Sequence, residues 1–268
     1  MKVSGVSLAN NHTFDYGTAG FLLTVQELED AGIVVFGAGE NLSEAKRPLS
    51  LAVPQSAGGE SVDLYAAFRW RRVYQERYSS YAGKSTVGAA SLSRKSAERF
   101  YPKNPNALNV FYPHWGSDYT WVSTLQQEVA QTLAQNGFDL TVGHGTHSIQ
   151  ELELVGDMPV AYGIGNGVFQ AGGRFRRYAE LRGILPYGFW ALLQVSKART
   201  SLRLYPVRAD NRRTGYQPGP VDAEEFDRVL SQLAPGIRSF QGPEHAITEG
   251  LDNLGYYIDV PVPGKTAS

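Results

Sequence analysis

Ser7-Leu8-Ala9-Asn10-Asn11-His12-Thr13-Phe14-Asp15-Tyr16-Gly17 joins a short apolar strand, Val3 to Leu8, to a segment with helical spacing. In that segment Phe21, Leu22, Val25, Leu28 and Ala31 recur every three or four residues, with Asp and Glu on the opposite face. The junction is therefore a strand-to-helix turn crowded with Asn10, Asn11, His12 and Asp15. In open α/β sheets ligands sit in the crevice beyond the carboxyl ends of the strands. Ile33 to Phe36 supplies the next strand, which completes a βαβ unit and predicts parallel pairing. Gly37-Ala38-Gly39 lacks the third glycine of a dinucleotide fingerprint and reads as a tight turn.

The same pattern returns twice. Ala107 to Tyr112 is an apolar strand that runs into Pro113-His114-Trp115-Gly116-Ser117-Asp118, and Phe138 to Val142 runs into Gly143-His144-Gly145-Thr146-His147. Four of the five histidines thus stand where a strand stops. Between these strands, Leu49 to Val53 and Val62 to Phe68 read as strands. Ser93 to Phe100 and Ser123 to Asn136 read as helices, each opened by a serine cap. Residues 69 to 92 lose all periodicity while carrying Tyr74, Tyr78 and Tyr81, and are expected to form an irregular flap. After His147 the texture becomes antiparallel. A hairpin is expected about Gly156-Asp157, and a strand pair over Phe189 to Val195 and Ser201 to Val207. A helix from Val221 to Leu233 capped by Asp222 and a strand from Tyr256 to Val260 close the chain. Nothing marks an internal boundary, so residues 1–260 read as one domain and 261–268 as a tail.

Bulk properties narrow the function. Lys and Arg number 25 against 26 Asp and Glu, so no basic surface suits nucleic acid. The runs Arg69 to Arg72 and Arg174 to Arg177 are short enough to be solvated edges. The absence of cysteine removes disulfides, thiolate metal sites and cysteine nucleophiles. The longest apolar run, Phe189 to Val195, is far short of the roughly 20 residues a membrane helix needs. With no leader pattern in the sequence as written, a cytoplasmic chain is expected.

Imidazole, amide oxygen and carboxylate are ligands for zinc, manganese or iron. His144 and His147, three apart across a glycine, can face one point. Each feature also has a plainer use. Asn favours turns because it bonds its own backbone, Asp15 is placed to cap the helix that follows, and Trp115 suits a crevice wall.

Taken together, Ser7 to His12 with Asp15-Tyr16-Gly17, Gly37-Ala38-Gly39, His114-Trp115-Gly116, Gly143 to His147 and Gly163-Ile164-Gly165-Asn166 resemble, in content and order, the CapA family of poly-γ-glutamate capsule synthesis proteins. The resemblance covers roughly residues 3 to 170. It implies an α/β fold, a calcineurin-like metallophosphoesterase-type αββα sandwich. It also implies a divalent metal ion (Mn, Zn or Fe) held by Asn11, His114, His144 and His147. His12 would be the proton donor, with Asn10 and Asp15 beside it in the catalytic set. Two metals about 3.5–4 Å apart would activate water and stabilise phosphoryl charge. The chain departs from the family pattern in three places. The Gly-Asp and Asn-Leu-Glu strands that open family members are missing, so the fold is expected to be N-terminally truncated or to lack its bridging carboxylate. Asp118 is the acidic residue of the His114 cluster, but nothing in its spacing gives it that role. Gly-His-His-Pro-His is replaced by Gly143-His144-Gly145-Thr146-His147, and Gly-Asn-Phe by Gly165-Asn166-Gly167. Three functions remain open: a metal-dependent hydrolase of an anionic peptide or polyglutamate, a metal-independent peptide epimerase, and a non-catalytic polyglutamate-binding assembly component.

Overall fold

The computed structural model describes residues 3–57, 59, 61–169 and 181–263. The chain begins with β1 (Gly5–Ser7), α1 (Gly17–Asp30) and β2 (Val34–Phe36), and β1 pairs with β2 in parallel as the βαβ reading requires. β3 (Ala38–Gly39), α2 (Leu42–Ala45) and β4 (Leu49–Ala52) lead to the long central strand β5 (Ser61–Arg69). Next come α3 (Arg72–Tyr78), β6 (Gly88–Ala89), β7 (Ser91–Leu92), α4 (Arg94–Ala97), β8 (Leu108–His114), α5 (Thr124–Gln135) and β9 (Leu140–Val142). β10 (Leu152–Val155) and β11 (Met158–Ala161) form the expected antiparallel hairpin. The last part holds β12 (Tyr187–Val195), β13 (Thr200–Arg208), α6 (Asn211–Thr214), β14 (Gly219–Pro220), α7 (Ala223–Ile237), β15 (Thr248–Asp252) and β16 (Gly255–Val262). The fold is mixed α/β.

A seven-stranded sheet in the order β10-β11-β9-β8-β5-β4, with β7 beside β5, carries the site. β11, β9, β8 and β5 run parallel in it, so their carboxyl ends share one edge. One face is covered by α4 and α5, through Ala97, Val129, Ala130 and Leu133 against Tyr65, Phe111 and Val160. On the other face Val62, Val110 and Leu140 share a buried cluster with Leu202, Leu204, Ile258 and Val260 of the five-stranded sheet and with Phe226, Val229 and Leu233 of α7. The N-terminal unit packs Phe14, Phe21 and Phe36 onto Ala66 and Phe68 of β5.

Local chemistry explains three helix starts. Ser93, Ser123 and Asp222 each form a reciprocal capping box with the residue three positions on. Gly37 turns the chain at φ +80°, and there a Cβ would lie 2.8 Å from those of Ala9 and Ala66. The sequence reading and the structure differ at several points: Ala38–Gly39 is a strand paired with β6 and not only a turn, residues 261 and 262 belong to β16 and not to a tail, and two further differences bear on the site. Residues 69–92 are not irregular, since they hold α3, β6 and β7. Their order comes from distant contacts rather than periodicity. Tyr81 stacks on Phe68, and its hydroxyl donates to Arg69 O and accepts from Arg71 N. Asp15 does not cap α1, whose N-cap is Tyr16 with no side-chain hydrogen bond. The run Arg174 to Arg177 lies outside the described residues.

Gly236, near the end of α7, lies against β10 so closely that a Cβ would fall 1.9 Å from Leu152 O. Helix propensity favours alanine there by about 1 kcal/mol, whereas overpacking a tight contact costs about 1–3 kcal/mol. Gly236→Ala is expected to lower the urea midpoint of unfolding. A raised midpoint would show that α7 is not held against β10.

Candidate functional site

The ladder of the central sheet continues past its named strands. At the end of β8, His114 makes a parallel bridge to His144, two residues beyond β9. His144 N donates to Pro113 O at 2.9 Å, and Trp115 N donates to His144 O at 3.0 Å. Backbone pairing thus brings the two imidazoles together, with ring centres 4.8 Å apart and planes at 89°. Tyr112 stacks on His144 at 4.2 Å, and Phe68 meets His114 edge-on at 5.4 Å. Gly145 adopts φ +96°, where a Cβ would fall 2.7 Å from His114 Nε2. A side chain at 145 would push the ring away.

His147 adopts φ 58°, unusual for a residue with a side chain. Its Nδ1 lies 2.8 Å from Asn166 Oδ1. With that oxygen as acceptor, Nδ1 carries a proton. Phe169 packs on the ring at 4.6 Å and supplies an aromatic two residues beyond Gly167.

His12 stands at the tip of β1. Asn10 Oδ1 accepts from His12 N at 2.9 Å, which is the turn role open to Asn. Asp15 Oδ2 lies 2.8 Å from His12 Nδ1, so the carboxylate orients this ring instead of the helix. The His12 side chain is 72% exposed. Asn11 is half-buried and shows no side-chain hydrogen bond among the described residues.

Burial pushes the His114 imidazole down to about 4, and the nearby charges of His147 and His12 push the same way. His144 is driven well below the ordinary value by burial, then by His114 and His147. Both are neutral at pH 7. His114 Nδ1 and His144 Nε2 are buried without a hydrogen-bond partner, as is Asn166 Nδ2. The structure therefore gathers His12, His114, His144 and His147 within each other's field.

Among the described residues no three His, Cys, Asp or Glu side chains converge as metal ligands. The donor set Asn11, His114, His144 and His147 also contains no carboxylate. Two divalent ions a few ångströms apart repel strongly and need a bridging anion. Asp118 does not supply one, because it is exposed and its backbone carbonyl accepts from Arg182. The two-metal centre implied by resemblance does not fit these residues. Trp115 is buried 5.8 Å from Tyr162, and its Nε1 donates to Tyr162 O at 2.7 Å, so it is a wall and not a stacking platform. Two cavities of about 810 and 830 Å³ lie elsewhere and touch none of these histidines. Sequence reasoning assigned no role to Asn166, Phe169, Tyr112 or Phe68. Asn166 had a signal, since it closes a strand-end motif of its own.

The family model described as bacterial capsule synthesis protein PGA_cap matches residues 1–171. This chain belongs to that family. Among PGA_cap relatives, a PGA biosynthesis protein CapA of Bacillus subtilis (strain 168) is 29% identical over 178 residues, 64% of this chain and 44% of that protein. A capsule biosynthesis protein CapA of Bacillus anthracis is 30% identical over 180 residues, 62% of this chain and 40% of that one. A probable polyglutamine synthesis accessory protein of Mycobacterium tuberculosis is 27% identical over 255 residues, 90% of this chain and 65% of its own length. The chain therefore spans between two fifths and two thirds of the relatives it matches. No helix among the described residues is long and apolar enough to cross a membrane.

The buried imidazoles set a pH dependence for this PGA_cap chain. His114 binds a proton near 6.5 when unfolded and only near 4 when folded. Stability is therefore complete above pH 6.5 and falls as the pH drops towards 4, by roughly 3 kcal/mol from this residue. Urea titrations between pH 7 and 4 should show that slope, and His114→Phe should flatten it. An equal slope in the variant would place the titrating group elsewhere.

Proposed function

We propose that this chain is a capsule-polymer enzyme that hydrolyses an amide bond of an anionic glutamate polymer or peptide. The His12–Asp15 pair at the edge of the histidine cluster would transfer the proton. The supporting observation is the 2.8 Å contact between His12 Nδ1 and Asp15 Oδ2, on an exposed ring beside two buried neutral imidazoles. A base held by a carboxylate keeps one tautomer and presents Nε2 outward. His12 Nε2 takes a proton from water as its oxygen attacks the carbonyl carbon. It returns that proton to the nitrogen as the carbon–nitrogen bond breaks. Asp15 steadies the intervening imidazolium. His114 and His144, kept uncharged by burial, can hydrogen-bond the reacting carbonyl without adding a competing cation. The family's capsule role and the relatives' names supply the substrate class, and the two sheets with helices outside accord with a metallophosphoesterase-type sandwich.

A second reading places one divalent ion on His114 and His144, with His147 and Asn11 nearby. The unpartnered nitrogens of the first two favour it.

One assay set separates these readings. On a γ-linked glutamate oligomer, His12→Gln should lower kcat by about 100-fold or more and leave KM nearly unchanged. Asp15→Asn should lower it less. Undiminished turnover in His12→Gln overturns the proposal. Activity abolished by chelator, with metal lost from His114→Ala and His147→Ala proteins, establishes the single-ion reading. Deuterium uptake into peptide without cleavage points to an epimerase. Salt-sensitive binding without turnover points to a polymer-binding component.

A further inference from the structure

At the opposite edge of the same sheet, three adjacent strands carry a row of oxygen donors that the histidine chemistry does not use. Asp63 on β5 is directly paired with Asn109 on β8. Asp139, the residue before β9, is tied to Asn109 in turn. Asn109 N donates to Asp139 Oδ2 at 2.8 Å, and Asp139 N donates to Asn109 O at 2.9 Å. All three lie on the face covered by α4 and α5, in step with Tyr65 and Phe111. Asn109 and His114 are five residues apart on β8, about 16 Å at the rise of a strand, so this row is separate from the histidine cluster.

The row has an acceptor surplus. Asp63 is 4% exposed and Asn109 0%. Asp63 Oδ1 and Asn109 Oδ1 are both buried without a hydrogen-bond partner. The Asn109 amide cannot simply be turned over. Its Nδ2 donates to Ala107 O at 2.8 Å and Asn104 O at 3.0 Å, which fixes the oxygen on the other side. Two buried acceptor oxygens without a donor, one of them on a carboxylate, are costly for a fold to hold. Carboxylate plus carbonyl oxygen, with no nitrogen or sulfur, is the donor set of a hard divalent cation, and calcium tolerates its irregular geometry better than magnesium.

We propose that Asp63 and Asn109, with Asp139 adding negative charge beside them, form a calcium-type cation site that pins the amino-terminal edge of the central sheet and the 101–107 connection to it. The full chain is titrated with CaCl2 by calorimetry and, separately, with TbCl3 while emission is excited through tyrosine. Tyr65 lies two residues from Asp63 on the same face and should sensitise bound terbium. The wild-type protein should bind one equivalent, show terbium emission that CaCl2 displaces, and unfold several degrees higher with CaCl2 than with NaCl. Asp63→Asn should lose at least ten-fold in affinity. Tyr65→Phe, which keeps every donor, should retain calcium binding and lose most of the emission. Absence of calcium binding by the wild-type chain, or unchanged affinity in Asp63→Asn, overturns the proposal. So does undiminished emission from Tyr65→Phe. If Asp63→Asn does not fold, the Tyr65→Phe comparison decides alone.

Discussion

The site depends on backbone pairing that does not stop where the regular strands stop. β8 and β9 are already parallel and in register, and the bridge from His114 to His144 carries the same register three residues further. Gly143 makes the extension sterically feasible. A Cβ there would sit 2.2 Å from both Trp115 Nε1 and Tyr162 O, so any side chain would break the Trp115–Tyr162 hydrogen bond and spread the strand tips. On its other side, Gly143 N donates to Ala161 O, and Ile164 N donates to Gly143 O. Three strand ends are thus stitched together by main-chain bonds, and two imidazoles are brought together without any direct bond between them.

Placement also divides the histidines electrostatically. The pair at 114 and 144 is walled by Phe68 and Tyr112 and stays uncharged, because a proton on either ring would be buried beside its neighbour. His12 stands in solvent with the Asp15 carboxylate on its Nδ1. His147 falls between the two, oriented by Asn166 and backed by Phe169. One residue type therefore occupies distinct surroundings within one cluster.

Much of this arrangement was legible in the sequence. Parallel strands at their carboxyl ends deliver whatever follows them to one edge, so the histidines after Tyr112 and after Val142 meet there, while His12 comes from the separate β1–β2 pair packed on β5. What was not legible depended on contacts distant in sequence. Tyr81 folds back on Phe68 and gives order to residues 69–92, where no periodicity exists to be read. Asp15 had two donors within reach, the helix terminus and His12, and spacing alone favours neither. Phe169 restores an aromatic that Gly167 had removed, by an offset of two residues that no motif records.

Buried side-chain atoms without partners are uncommon in folded proteins, and here their distribution is informative. Asp63, Asn109, His114, His144 and Asn166 each carry one on strands of the central sheet or in the segments that follow them, while Thr214, Gln232 and His245 each carry one outside that sheet. Between its two edges the same strands are apolar and closed, with Val110 and Phe111 buried against opposite clusters. A sheet that merely tolerated bad hydrogen bonding would scatter such atoms along its length. Within the sheet they fall at its ends, with the oxygens of Asp63 and Asn109 at the amino-terminal edge and the nitrogens of His114, His144 and Asn166 at the carboxyl-terminal edge. The strands themselves supply the stability that offsets both. The chemistry of the two edges differs because oxygen donors and neutral nitrogens meet different ligands, and the fold keeps them apart by the length of a strand.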